Sequence, residues 1–185
     1  LTSLPFIHES ELRHLPALRY MISKGKLKNC SPEGLQRAQD WIATFPEVEE
    51  VDPPFYDLIP PAPGIDIGEK LLLANVLQRN ESSIFTGDKR CIIAAGGLPA
   101  TIQTILKGRI LCLEAALRAI VERENFDYLL DNIRPGLCCD LAIRSIFGSQ
   151  GTNSEASVHD GFTSYLSDIV TKPGGLLLMP WETLL

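Results

Sequence analysis

Three acidic side chains stand at the ends of two elements that the sequence brings together. In IDIGEKLLLANVLQRNESSIFTGDKR, residues 65–90, Asp66 and Glu69 open an apolar helix and Asp88 sits in the turn after a short strand. Asp66 suits a helix N-cap, and Glu69 falls three residues later, where a capping box places Glu or Gln. Leu71 to Leu77 are mostly apolar, which requires a largely enclosed helix. Ser83 to Thr86 reads as a buried strand, bounded by a polar Arg-Asn-Glu turn before it and Gly87-Asp88 after it. A helix feeding a strand of a parallel sheet sets Thr86, Gly87 and Asp88 at the strand's carboxyl end, where ligands of such sheets gather. The chemistry on offer there is that of oxygen donors and negative charge, with Lys89 and Arg90 alongside.

The order D-x-G-E, apolar helix, hydrophobic strand and T-G-D-K-R resembles the PIN-domain ribonucleases, among them the toxin nucleases of toxin and antitoxin pairs. WIATFPEVEEVDP (residues 41–53) resembles the helix end and strand that precede this helix in the family, and KGRILCLE (107–114) resembles its last strand, so the resemblance covers about residues 4 to 124. It implies a three-layer α/β/α core over residues 1–124 with a central, mostly parallel sheet. Strands are expected near Phe6, at Val48 to Val51, at Ile84 to Thr86 and at Ile110 to Leu113, joined by right-handed crossovers. Residues 125–185 are expected to form a helical extension on that core.

The activity that the resemblance implies is metal-dependent cleavage of RNA phosphodiester bonds. Mg2+ or Mn2+ would neutralise the phosphate, lower the pKa of a bound water and stabilise the departing oxygen, held by oxygen ligands. Glu69 and Asp88 are then the first metal ligands and Glu11 the third, these three forming the catalytic set. Asp66 is a further ligand whose capping role competes for its oxygens. Thr86, Lys89 and Arg90 would meet the substrate. Family members open with a strand ending in Asp and then a helix, both expected upstream of Leu1. Without that acid, the same fold would serve as a catalytically degenerate PIN-like binding or interaction module, which is the alternative reading. T-G-D after a strand also faintly resembles a motif of haloacid dehalogenase-type phosphatases, but their D-x-D-x-T nucleophile motif is missing.

Composition restricts the classes of function. A hydrophobic content of 45% with 22% charged residues is that of a globular chain, not a disordered one. A net charge of -6 counts against a general nucleic-acid binder, since phosphate contacts come from basic surface. A metal site is itself acidic, so the charge does not dispose of the RNA reading. The basic residues fall in small groups: Lys24, Lys26 and Lys28 in one loop, Lys89 and Arg90 beside Asp88, and Lys107 and Arg109 before a strand. RNA is the expected partner, together with an antitoxin or other protein and self-association. No membrane contact is expected, because no run of about eighteen apolar residues occurs.

The five cysteines, Cys30, Cys91, Cys112, Cys138 and Cys139, have neither metal spacing nor the even count of a disulfide framework. This favours a reducing, cytoplasmic setting. Adjacent Cys138 and Cys139 could join only in a strained bridge. Along the rest of the chain, Ser31 is the expected N-cap of a helix with Pro32 in its first turn, and Leu35, Ala38, Trp41, Ile42 and Phe45 repeat on one face. Pro53, Pro54, Pro60, Pro61 and Pro63 make a stiff connector. A helix starting near Cys91 is broken by Gly96, Gly97 and Pro99. Glu114 to Glu124, Phe126 to Ile133, Leu137 to Phe147 and Ser157 to Val170 read as four more helices.

Overall fold

The computed structural model describes residues 12–24, 31–79, 81–124 and 126–184. Helices dominate them: α1 (Pro16–Ser23), α2 (Pro32–Ile42), α3 (Pro53–Asp57), α4 (Ile67–Gln78), α5 (Lys89–Ala95), α6 (Ala100–Leu106), α7 (Leu113–Arg123), α8 (Phe126–Ile133), α9 (Leu141–Phe147) and α10 (Glu155–Val170). The strands are β1 (Ile84–Thr86) and β2 (Ile110–Cys112), a parallel pair in the register Ile84 with Ile110 and Thr86 with Cys112. Among the described residues this two-stranded sheet is all the sheet there is. Ile110 also forms an isolated parallel bridge to Leu178 on its other side.

This corrects the expected three-layer α/β/α architecture, and with it the PIN-like resemblance. The expected strand near Phe6 lies outside the described residues. Val48 to Val51 is no strand: His14 and Glu47 form a single bridge, the Val48 N–H donating to the His14 carbonyl at 2.9 Å, and no ladder continues from it among the described residues. Glu49 and Glu50 are exposed and Pro46 and Pro53-Pro54 close the segment at both ends, so it is short and has no continuous apolar face to bury against a partner strand. Leu113, expected as the end of the last strand, instead begins α7.

Packing divides the chain into two compact units, each assembled from two stretches: residues 1–48 with 120–162, and residues 49–119 with 163–185. In the first, Phe147 is fully buried, stacked on Phe126 at 6.4 Å and edge-on to Phe162 at 5.7 Å. Ser31 caps α2 by accepting from the Gly34 N–H at 3.0 Å. Its hydroxyl donates to the Pro135 carbonyl at 3.2 Å, which ties the start of α2 to the turn before α9.

The second unit is built around α4, whose stretch from Leu73 to Leu77 is enclosed: Leu73, Ala74, Val76 and Leu77 are buried together with Ile92, Leu106, Ile110 and Leu177. Two glycines set how closely its backbones approach. Gly64 has φ +93°, and a Cβ there would press on the Arg90 carbonyl and on Ala94, so the turn leading into α4 lies directly on α5. At the other end of α5, a Cβ on Gly96 would overlap the backbone of Pro173 and Gly174.

Candidate functional site

The parallel register brings β1 and β2 to an end at the same level, Thr86 opposite Cys112. Gly87-Asp88 and Leu113-Glu114 therefore leave the sheet together, and α5 and α7 start there. The turn at Gly64 adds the first turn of α4 to this corner. Asp66, Glu69, Asp88, Lys89, Arg90, Cys91 and Glu114 are the chemistry-bearing residues at these element starts.

Asp66 and Glu69 form a reciprocal capping box. The Glu69 N–H donates to Asp66 Oδ1 at 2.8 Å, and the Asp66 N–H donates to Glu69 Oε2 at 2.7 Å. Asp88 caps α5, accepting on Oδ1 from the N–H groups of Arg90 at 2.8 Å and Cys91 at 3.4 Å. The Arg90 guanidinium closes on both Asp88 oxygens, Nε to Oδ1 at 3.3 Å and Nη2 to Oδ2 at 2.8 Å. Thr86 Oγ1 accepts from the Asp88 N–H at 3.1 Å and so fixes the turn itself.

The electrostatics of the two acids run in opposite directions. The hydrogen bond from Arg90 holds the Asp88 carboxyl below its usual range, helped by the backbone N–H groups of Arg90 and Cys91. Glu69 is pushed up, first by burial and then by the negative charges of Asp66 and Asp88, against the hydrogen bond from the Asp66 backbone and the charge of Arg90. Burial, the same three carboxylates and a hydrogen bond with Glu69 drive the Cys91 thiol up to about 12, which makes it inert as a thiolate.

The sign of the linkage follows. Folded Glu69 holds its proton more tightly than the unfolded chain does, so its ionisation costs stability, and that cost appears as pH rises above 4.5 through the raised value. The contribution of Asp88 is present above 3.8 and is lost as pH falls through its lowered value. Glu69→Gln keeps an oxygen for the Asp66 N–H. It should therefore leave stability at neutral pH unchanged or raised, by no more than about 1 kcal/mol, while removing the loss on the alkaline side of 4.5. Urea unfolding across about pH 4 to 8 checks this; an unchanged profile would mean that Glu69 ionises as an ordinary glutamate.

Glu114 and Tyr165 were not singled out from the sequence. Glu114 is 3% exposed, with Oε1 3.2 Å from Lys89 Nζ and Oε2 buried without a hydrogen-bond partner among the described residues. Lys89 Nζ also lies 3.9 Å from the centre of the Tyr165 ring. Lys89, expected to reach for substrate, is thus turned inward, whereas Arg90 is exposed and bound to Asp88. The available signal for Glu114 was positional, since it follows β2 just as Asp88 follows β1.

The described members of the expected metal centre have other partners. One oxygen of Glu69, one of Asp66 and both of Asp88 are engaged in caps or in the Arg90 pair, and Glu11 lies outside the described residues. Among the described residues no three His, Cys, Asp or Glu side chains are grouped to hold a metal ion. With the two-stranded sheet, this overturns the readings as a PIN-type metal-binding nuclease, as a toxin nuclease and as a PIN-like interaction module. Comparison with family models, curated proteins and solved structures returns no match. No helix of the described residues is long and apolar enough to cross a membrane. A hollow of about 180 Å³ lined by Arg19, Ile22, Gln39, Ile42 and Ala43 is smaller than the ~300 Å³ at which small-molecule pockets begin.

Proposed function

We propose that the chain is a recognition module for a basic group, an ammonium or guanidinium on a ligand or partner, received by the carboxylates of Asp66, Glu69 and Asp88. The observation that carries this reading is the raised Glu69: its partly buried carboxyl feels the charges of two other acids, Asp66 and Asp88, and Arg90 is the cation that opposes them. Keeping like charges together costs stability, and a cation from outside relieves that cost. An organic cation suits the arrangement better than a bare metal ion. It satisfies carboxylates through hydrogen bonds at several separate points and does not need them drawn into one coordination sphere.

Arg90 is the internal competitor for this place. Its side chain is 84% exposed and its pair with Asp88 faces solvent, where such pairs contribute little. An incoming guanidinium can therefore replace it on Asp88 at small cost. Calorimetric titration with agmatine at low salt tests the reading. Arg90→Ala should bind more tightly, by up to about 5-fold, because the competitor is gone. Asp88→Asn and Glu69→Gln should bind more weakly, and added salt should weaken binding throughout. Absence of saturable binding by both the native chain and Arg90→Ala would overturn the proposal, as would affinities that ignore all three substitutions.

A further inference from the structure

The thiols of the described residues divide sharply by environment. Cys91 and Cys112 are buried, and burial before all else pushes them up to about 12 and about 11 respectively. Cys138 and Cys139 are consecutive, exposed and not joined in a disulfide. They lie in the turn between the single 3-10 turn Arg134–Gly136 and α9.

The backbone of that turn is held on both sides. Leu137 is buried at 3% exposure and its N–H donates to the Arg134 carbonyl, while the Cys139 N–H donates to the Gly136 carbonyl at 2.9 Å. Asp140 then caps α9, accepting from the Ile143 N–H at 2.9 Å. The Pro135 carbonyl receives the Ser31 hydroxyl at 3.2 Å and, weakly, the Cys138 thiol at 3.8 Å. An anchored turn thus holds two neighbouring exposed cysteines, with consecutive Cα atoms about 3.8 Å apart across a trans peptide.

That spacing disfavours a direct disulfide, whose Cα atoms prefer to stand about 5.5–6 Å apart. A thiophilic atom placed between the two sulfurs lengthens the bridge and relieves the constraint. We propose that Cys138 and Cys139 form a dithiol site for trivalent arsenic and its organic derivatives. With phenylarsine oxide, both thiols lose their protons, two As–S bonds form, and the oxide oxygen leaves with the protons as one water. Arsenic stays trivalent, so no oxidant or reductant takes part.

Chelation supplies the expected signature. Once one sulfur is bound, the second meets the arsenic at a high effective concentration, so the cyclic adduct should outlast a single-thiol adduct on the order of 100-fold. The full chain is treated with phenylarsine oxide, challenged with excess 2-mercaptoethanol and weighed intact by mass spectrometry, with circular dichroism confirming the fold of each variant. The native chain and Cys30→Ser should each keep one arsenical against the monothiol and release it to 1,2-ethanedithiol. Cys138→Ser and Cys139→Ser should each lose it to the monothiol. Retention by either of these two variants, or loss by Cys30→Ser or by the native chain, would overturn the assignment.

Discussion

Replacing Gly96 by alanine is expected to cost about 3 kcal/mol of stability, a fall in melting temperature on the order of 10 °C. The backbone at Gly96 is ordinary right-handed helix, φ -66°, where alanine is intrinsically the better residue by close to 1 kcal/mol. The whole loss must therefore come from packing. The new methyl group would overlap the main chain at Pro173 and Gly174, and main chain cannot swing aside as the tip of a long side chain can. Gly97→Ala is the internal control, because a Cβ there meets only the Ala94 carbonyl, at 3.3 Å. It should stay within about 1 kcal/mol of the native chain. Thermal and urea unfolding of the pair checks both numbers, and equal stabilities would show that α5 does not pass the 173–174 segment so closely.

Removing the charge of Lys89 has the next largest expected effect. Lys89→Met keeps most of the aliphatic stem over Tyr165 but leaves the buried Glu114 carboxylate without its cation. Loss of one member of a buried pair costs about 3 kcal/mol. Glu114→Leu alone should cost less, because Lys89 is partly exposed and can turn to water. The double variant Lys89→Met, Glu114→Leu should recover most of the loss, since no charge is then left inside. Urea unfolding of all four proteins closes the cycle; additive single effects would mean that the pair is not coupled.

What could be read from the sequence was what neighbouring residues decide among themselves. Ser31 with Pro32, and Asp66 with Glu69, are local caps whose partners lie within one helical turn, and both are present. The helix expected at Phe126 to Ile133 occupies those residues, with Leu129 and Leu130 buried on its inner side. Val48 to Val51 shows the opposite case. A strand exists only if a distant segment offers it a ladder, and here apolar content suggested a strand for which the described residues offer no ladder and whose glutamates are exposed.

The candidate site divides along the same line. Asp88 accepts from the residues that follow it, so its cap belongs to local sequence. The inward turn of Lys89 depends on Glu114 and Tyr165, remote along the chain, and no spacing near Lys89 announces them. The upward shift of Glu69 likewise requires the turn at Gly64 to lie on α5, a tertiary fact. The extent of the sheet is hidden for a related reason: three-residue strands carry the same apolar signature as the strands of a wide sheet, and only pairing tells them apart.

The interleaving of the two units also bears on how the chain emerges from a ribosome. Residues 1–48 come out well before 120–162, which complete their unit, and 49–119 must wait for 163–185, which include the Pro173-Gly174 crossing over α5. Neither unit has all its parts until its second stretch has been synthesised. The apolar α4 must therefore remain without its full covering until residues 163–185 have followed it, an interval in which a nascent chain is open to chaperone capture or to sticking to its neighbours.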